Sequence, residues 1–110
     1  MKKITKIWGE EHWLANEEFC CKKLLVSEGY MCSLHYHKIK DELFYVVYGK
    51  VKIELNDIIK ILKAGDWVRV KPEDKHRFSG LEDSLIIESS THHIEEDSYR
   101  IEASKKIKEG

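Results

Sequence analysis

The sequence is poor in cysteine, with three in 110 residues, and their placement excludes a disulfide framework. An odd number cannot all pair within one chain, and the adjacent Cys20 and Cys21 would point to opposite faces of a strand. No CxxC spacing joins them to each other or to Cys32, which disfavours a thiolate metal site. We therefore expect reduced, small buried cysteines, as is typical of a reducing compartment.

Neither sign of charge dominates the chain, whose net charge is −1, and no basic stripe indicates nucleic-acid binding. No apolar run approaches the roughly 20 residues of a membrane span. The basic start, MKKITKIWGEEHW, lacks the apolar segment of a secretory signal. These absences predict a cytoplasmic protein with no nucleic-acid partner and no membrane association. With 42% hydrophobic residues over this length, we expect one soluble globular domain.

Proline occurs once, and short runs of strand-forming residues recur between Gly, Asn or Asp. These runs are EFCCKKLLV (18–26), YMCSLHYH (30–37), ELFYVVYG (42–49), KVKIELN (50–56), IIKIL (58–62), DWVRV (66–70) and SLIIESS (84–90). Apolar and charged residues alternate in the fourth run, and Asn56-Asp57 after it predicts a two-residue hairpin turn. The pattern indicates an antiparallel sandwich or barrel.

The end of the chain differs in composition from these runs. From Ile94 the sequence IEEDSYRIEASKKIKEG has a helical composition with only a weak apolar period. We expect a C-terminal extension outside the barrel, helical or extended, with its last residues, 104–110, frayed.

Two histidines one residue apart, His35 and His37, lie in a run bounded by glycines. Because side chains alternate between the faces of a strand, both imidazoles point to the same side, roughly 6–7 Å apart. Glu42 follows a short polar connector, and a hairpin there would bring it back beside the histidines. A fourth candidate, His76, ends the later segment GDWVRVKPEDKH. Together the four residues predict a metal site.

Three imidazoles and one carboxylate form a ligand set that leaves coordination positions open. Such a set suits one divalent ion, and Zn, Mn, Fe, Ni and Co are each compatible with it. Water or a chelating substrate would occupy the open positions.

The chain resembles the cupin superfamily in the motifs that carry this set. The first family motif is matched by Gly29, His35, His37, Glu42 and Gly49, and the second by Gly65, Pro72 and His76. The second motif departs from the family at Asp74 or Lys75, where a glycine is usual. The resemblance implies an all-β fold, an antiparallel double-stranded β-helix or jelly-roll barrel. It also implies that His35, His37, Glu42 and His76 hold one divalent metal.

The resemblance further implies a single cupin domain over residues 1–110. Its parts would be N-terminal strands in 1–28, a metal-binding core in 29–90 and a C-terminal extension in 91–110. Members of the family commonly form homodimers, and the aromatic residues Trp8, Trp13 and Phe19 are candidates for such an interface or for packing between the sheets.

Strand parity extends the predicted site. If Glu42 points inward, so do Phe44, Val46 and Tyr48, while Ser33 shares the face of the two histidines. 

Charged residues in the other strand-like runs are candidates for ligand binding. Lys23, Arg69 and Glu88 could each bind an anionic or hydroxylated ligand, or be charges on a solvated face. His92 and His93 are interpreted as polar loop residues or as lining of a pocket mouth.

A narrower resemblance, to the cupin domain of type II mannose-6-phosphate isomerases, covers most of the chain. It implies a small-molecule ligand, a sugar or a sugar phosphate, and a metal-dependent isomerase or epimerase. Glu88, Lys23 and Tyr48 are then the candidates for moving the proton. The alternatives are an Fe(II)-dependent dioxygenase and a non-catalytic carbohydrate-binding or sensing barrel.

Overall fold

The computed structural model describes residues 1–107 and is built almost entirely of β-strands. The strands are β1 (Lys2–Lys6), β2 (Gly9–Asn16), β3 (Phe19–Val26), β4 (Tyr30–Met31), β5 (Leu34–Tyr36), β6 (Glu42–Tyr48), β7 (Lys50–Leu55), β8 (Ile58–Lys63), β9 (Trp67–Val70), β10 (His76–Gly80), β11 (Ser84–Thr91), β12 (Tyr99–Glu102) and β13 (Lys105–Lys106). A 3-10 helix, Glu95–Asp97, separates β11 from β12. In the described part of the chain, no helix has the length and apolar character needed to cross a membrane.

The strands form two antiparallel sheets. One has the order β1-β2-β3-β11-β6-β9. In the other, β10 pairs with β7 along one edge and with β4 and β5 along the other, and β8, β12 and β13 extend this sheet. Several neighbouring strands, such as β3 with β11 and β4 with β10, come from distant parts of the sequence, as in a jelly roll. The predicted all-β, jelly-roll fold is confirmed.

The core lies between the two sheets. Strand β3 shows how the sequence directs this packing, because its residues alternate between exposed Phe19 and Lys23 and buried Leu24 and Val26. Trp8 packs edge-on against Phe78 with ring centroids 5.0 Å apart, so this tryptophan belongs to the core and not to the surface. Each large apolar side chain buried in this way contributes about 1.5–3 kcal/mol to folding. All three cysteines are free, and burial raises the pKa of the Cys32 thiol to about 12.

The hairpin predicted at Asn56-Asp57 is present. Leu55 of β7 pairs with Ile58 of β8, and Asn56 adopts a φ of 49°. Asparagine tolerates this left-handed conformation better than most residues, which suits it to the turn.

The C-terminal segment is mostly extended, and the helix expected there is limited to the single 3-10 turn. Strand β12 pairs with β5, and β13 pairs with β4, so the segment adds edge strands to the second sheet. Pairing also orders Lys105 and Lys106, which were expected to be frayed; residues 108–110 of that expectation lie outside the described residues.

The buried guanidinium of Arg77 holds this segment in place. Its Nε donates to the carbonyl oxygen of Cys32 at 2.8 Å, and its Nη2 donates to the carbonyl oxygen of Ala103 at 3.0 Å. Nη1 pairs with Glu102 at 2.9 Å. One side chain of β10 therefore joins the barrel to the end of the chain.

Two glycines with nearly the same backbone conformation provide a matched test of turn packing. Gly49 has a φ of 91° and Gly65 a φ of 92°, which alanine adopts only under strain. A Cβ at Gly49 would overlap the Ser84 side chain and the backbone of Asp83, whereas at Gly65 it would meet nothing within 4 Å. We expect Gly65→Ala to lower the unfolding free energy by about 1–2 kcal/mol and Gly49→Ala by about 3–5 kcal/mol. Urea denaturation measures both, and equal losses would show that the close approach at Gly49 has no energetic effect.

Candidate metal centre and adjoining pocket

Three histidines that are far apart in sequence meet at the inner face of the second sheet. His35 lies in β5, His37 follows that strand, and His76 begins β10 directly opposite His35 in the antiparallel register. One nitrogen from each ring can be chosen so that all three atoms lie within 4.8 Å of one another. The alternation that placed His35 and His37 on one face is therefore realised, and β10 supplies the third imidazole.

Each imidazole is oriented by a hydrogen bond from its Nδ1 to a backbone carbonyl oxygen. The acceptors are Ser33 for His35 at 2.8 Å, Asp97 for His37 at 3.0 Å and Asp74 for His76 at 3.0 Å. Because a carbonyl oxygen only accepts, the proton of each neutral ring resides on Nδ1 and the lone pair on Nε2. This is the arrangement by which proteins orient metal-binding histidines.

Glu42 completes the cluster. Its Oε2 lies 3.3 Å from Nε2 of His76 and 3.5 Å from Nε2 of His37. Among the described residues neither this oxygen nor Nε2 of His76 has a hydrogen-bond partner, although both atoms are buried. Leaving two buried polar atoms unpaired is costly, and a cation between them would satisfy both. The residues present therefore fit a metal ion with nitrogen and oxygen ligands.

The electrostatics of the cluster also suit a cation. Burial lowers the pKa of His35 to about 3, and the neighbouring His76 acts in the same direction. Burial likewise lowers the pKa of His37 despite the nearby Glu42 carboxylate. Burial acts to raise the pKa of Glu42, but His76, Lys40 and His37 outweigh it and hold that pKa well below its usual range. Near neutral pH the two histidines are thus uncharged and the glutamate is ionised, as metal ligands must be.

A buried lysine connects this cluster to a second carboxylate. Nζ of Lys40 lies 3.2 Å from Oε1 of Glu42 and 2.7 Å from Oε2 of Glu88, and it donates to Nδ1 of His93 at 3.0 Å. Burial alone would lower the pKa of Lys40, but the two carboxylates outweigh that effect and raise it. The ammonium group is therefore charged, and it contributes to the lowered pKa of Glu42.

Asp97, in the 3-10 helix, positions the loop that carries Lys40. Its buried carboxylate accepts hydrogen bonds from the backbone N–H groups of Lys38 at 2.9 Å, Ile39 at 3.2 Å and Lys40 at 3.0 Å. Burial opposes ionisation of Asp97, yet these three donors lower its pKa. Through its backbone carbonyl the same residue orients His37, so one aspartate supports both a histidine of the cluster and the loop that carries the lysine.

The cluster opens into a pocket of about 420 Å³ between the sheets. Its walls include the side chains of Glu11, Trp13, Lys22, Lys40, Glu88 and His93. The pocket has both charged and aromatic groups, a composition that suits a small polar ligand.

The structure places some of the predicted site residues in the pocket and others on the protein surface. Ser33 is buried and its Oγ lies 3.0 Å from Nδ1 of His35, as predicted for the shared face. Glu88 lines the pocket. Lys23 is exposed on the outer face of β3, and Arg69 is exposed and paired with Asp41 at 2.6 Å.

Tyr48 is 48% exposed and lies outside this pocket. A β-bulge explains the difference, because the register of β6 against β11 shifts between Val46 and Tyr48. The inward parity of Glu42 and Phe44 therefore ends at Val46.

Three pocket residues were missed or underrated by sequence reasoning. Lys40 lies in the polar connector between β5 and β6. A residue outside a strand has no periodic pattern that would indicate where its side chain points. Lys22 has the same parity as the buried Leu24 and Val26, so its inward orientation could have been read from β3. His93, one of two histidines considered for a pocket mouth, does line the pocket.

Comparison with known proteins agrees with this architecture. A family model described as "Cupin domain" matches residues 24–88, a span that contains the three histidines and both inner glutamates. Similar solved structures include KdgF from Halomonas sp., with a TM-score of 0.74 and 24% identity over 79% of this chain and 81% of that one. An RmlC-like cupin from Shewanella frigidimarina has a TM-score of 0.73 and 25% identity over 79% of this chain and 78% of that one.

A longer protein contains the same fold as one part. Oxalate decarboxylase from Bacillus subtilis has a TM-score of 0.79 and 17% identity over 91% of this chain and 30% of that one. The chain thus spans less than a third of that enzyme's length. No curated protein matches the sequence.

Proposed function

The chain belongs to the Cupin domain family, and on that premise we propose that it binds one divalent metal ion and acts on a sugar or sugar phosphate as an isomerase or epimerase. The main support for the metal site is the buried cluster of three histidines beside Glu42. In this cluster Oε2 of Glu42 and Nε2 of His76 face each other without hydrogen-bond partners among the described residues. The sugar class is supported by the sequence resemblance to type II mannose-6-phosphate isomerases.

His35, His37, Glu42 and His76 are the proposed ligands. When bound, a divalent ion supplies Lewis acidity that polarises a carbonyl or hydroxyl oxygen of the ligand. The chain's own contribution is to orient the three imidazoles through their Nδ1 atoms, to lower the pKa of His35 and His37, and to hold the carboxylate ionised beside them.

Of the three candidates from the sequence, Glu88 is the proposed acid/base group. It lines the pocket, and Lys40 contacts both its carboxylate and that of Glu42. Its carboxylate can accept a proton from a carbon next to a carbonyl group of the ligand and return it to the neighbouring carbon. Ser90 donates to its Oε2 at 3.1 Å and Lys40 pairs with the same oxygen, which fixes the orientation of the carboxylate. Lys23 and Tyr48 have no such position, so the proposal assigns them no proton transfer.

Metal content is the first test. Protein purified without a metal-affinity tag should contain, or take up on reconstitution, about one divalent ion per chain by inductively coupled plasma mass spectrometry. A screen of aldose and ketose phosphates in D₂O should then show incorporation of deuterium at a sugar carbon. Iron content with oxygen uptake would favour the dioxygenase, and ligand binding without exchange would favour a binding protein. A chain that retains no metal after reconstitution would contradict the proposed site.

A further inference from the structure

Lys22 is a second buried ammonium group in the pocket, and the metal cluster does not use it. Its side chain is only 3% exposed, and its residue lies between Trp13 and Glu88 in the register of β2, β3 and β11. Lysine is rarely buried to this degree unless it is paired. A buried ammonium group of this kind is expected to have a carboxylate or another hydrogen-bond acceptor as its partner.

The protein provides the ammonium group of Lys22 with few polar contacts. Among residues 1–107 its Nζ makes no hydrogen bond, and its nearest carboxylate oxygen, Oε1 of Glu11, is 3.7 Å away. That oxygen already accepts a hydrogen bond from the indole Nε1 of Trp13 at 2.9 Å. The ammonium also lies 4.0 Å from the centroid of the Trp13 ring, a cation–π contact. These contacts hold the charge in place but leave its N–H donors free.

The carboxylate of Glu88, which lies beside Lys22 in the sheet, is paired with a different lysine. Glu88 is the direct cross-strand neighbour of Lys22, but its Oε2 pairs with Lys40 at 2.7 Å, and neither carboxylate oxygen of Glu88 comes within 4.0 Å of Lys22 Nζ. Glu88 is thus paired with Lys40, and Lys22 faces the pocket as a donor without an acceptor.

The charge balance of the pocket favours an anion. Its lining contains four basic residues, Lys6, Lys22, Lys40 and Arg100, and four acidic ones, Glu11, Glu42, Glu88 and Glu95. The protein charges thus cancel, and a divalent ion at the histidine cluster would leave the pocket positive. A ligand that carries a negative group would restore the balance.

We propose that Lys22 binds the anionic group, a carboxylate or a phosphate, of a small ligand that occupies this pocket. The inference deepens the proposed function and rests on it for the positive charge that the metal ion adds. The acidic ligand would lie with its charged group at Lys22, beside Trp13, and with its remaining oxygens toward the histidines and Glu42.

The test compares three compounds that differ only at C6: glucose, glucuronate and glucose 6-phosphate. Isothermal titration calorimetry on metal-loaded protein should show at least one anionic compound binding about 10-fold or more tightly than glucose. Lys22→Met should weaken that binding about 10- to 100-fold and remove the preference over glucose, because it removes a charge-assisted hydrogen bond. The relative affinities of glucuronate and glucose 6-phosphate distinguish a carboxylate from a phosphate.

Lys23→Met is the matched control, because Lys23 is the next residue on the same strand and faces solvent; it should bind like the wild type. Lys22→Arg should retain the preference for the anion, which separates loss of charge from damage to the fold. Equal binding of the three compounds by the wild type, no binding of any, or an unchanged preference in Lys22→Met would each overturn the inference.

Metal content measured on the same samples separates this inference from the proposed function. Loaded protein without anion preference would overturn the role of Lys22 alone. Protein that takes up no metal yet prefers the anions through Lys22 would overturn the metal site and leave the anion site in place.

Discussion

Replacing His76 with alanine is expected to remove most of the bound metal. The residue is fully buried, its Nδ1 is held by the Asp74 carbonyl oxygen, and its Nε2 faces Glu42. Loss of a residue that merely supports a ligand typically weakens metal binding 10- to 100-fold, so loss of a ligand itself should weaken it by roughly 100-fold or more. His35→Ala should have an effect of the same order, because His35 lies directly across from His76. Metal content after dialysis measures both.

The control for these variants is His12→Ala. His12 lies in β2, outside the pocket, and its Nε2 is 2.8 Å from a carboxylate oxygen of Glu10. This variant should retain as much metal as the wild type. Circular dichroism should verify that all three variants fold, and equal metal content in the three would rule out the proposed ligand set.

Asp97→Ala should be strongly destabilising, although Asp97 lies outside the hydrophobic core. Three backbone N–H groups, those of residues 38–40, would lose their shared acceptor while remaining in a packed loop. Hydrogen bonds to a charged group contribute about 1.5–3 kcal/mol each, and water can replace only some of them at this depth. We expect the free energy of unfolding to fall by about 3–5 kcal/mol, measured by urea denaturation.

Glu96→Ala is the matched control, because Glu96 is the preceding residue of the same 3-10 helix and is exposed. Its effect should stay within about 0.5 kcal/mol. A similar loss in the two variants would mean that the 3-10 turn, and not the carboxylate of Asp97, stabilises the loop. Because Asp97 also orients His37 and the loop of Lys40, the alanine variant should bind metal more weakly.

Much of the fold and of the metal cluster follows from local sequence. Alternation places His35 and His37 on one face, and the Asn56-Asp57 turn sets the register of its hairpin. Both signals reside in a few consecutive residues, which is why they can be read without coordinates.

The remainder depends on contacts between distant residues. The strands of the C-terminal segment pair with the edges of β5 and β4, which lie far earlier in the sequence, and local periodicity does not indicate such partners. Tyr48 is turned outward by a bulge, which a strict two-residue period does not anticipate. Lys40 enters the site from a turn, where side-chain direction is set by the three bonds to Asp97 and not by periodicity.

The contacts between the C-terminal segment and the barrel can form only after most of the described chain has been synthesised. On the ribosome, residues through β11 emerge first, and they already contain the three histidines and both inner glutamates. The Asp97 clamp on residues 38–40, the His37 acceptor and the strand that covers β5 are all synthesised later. A nascent chain therefore carries every proposed ligand before it contains Asp97, which orients His37, and strand β12, which pairs with β5.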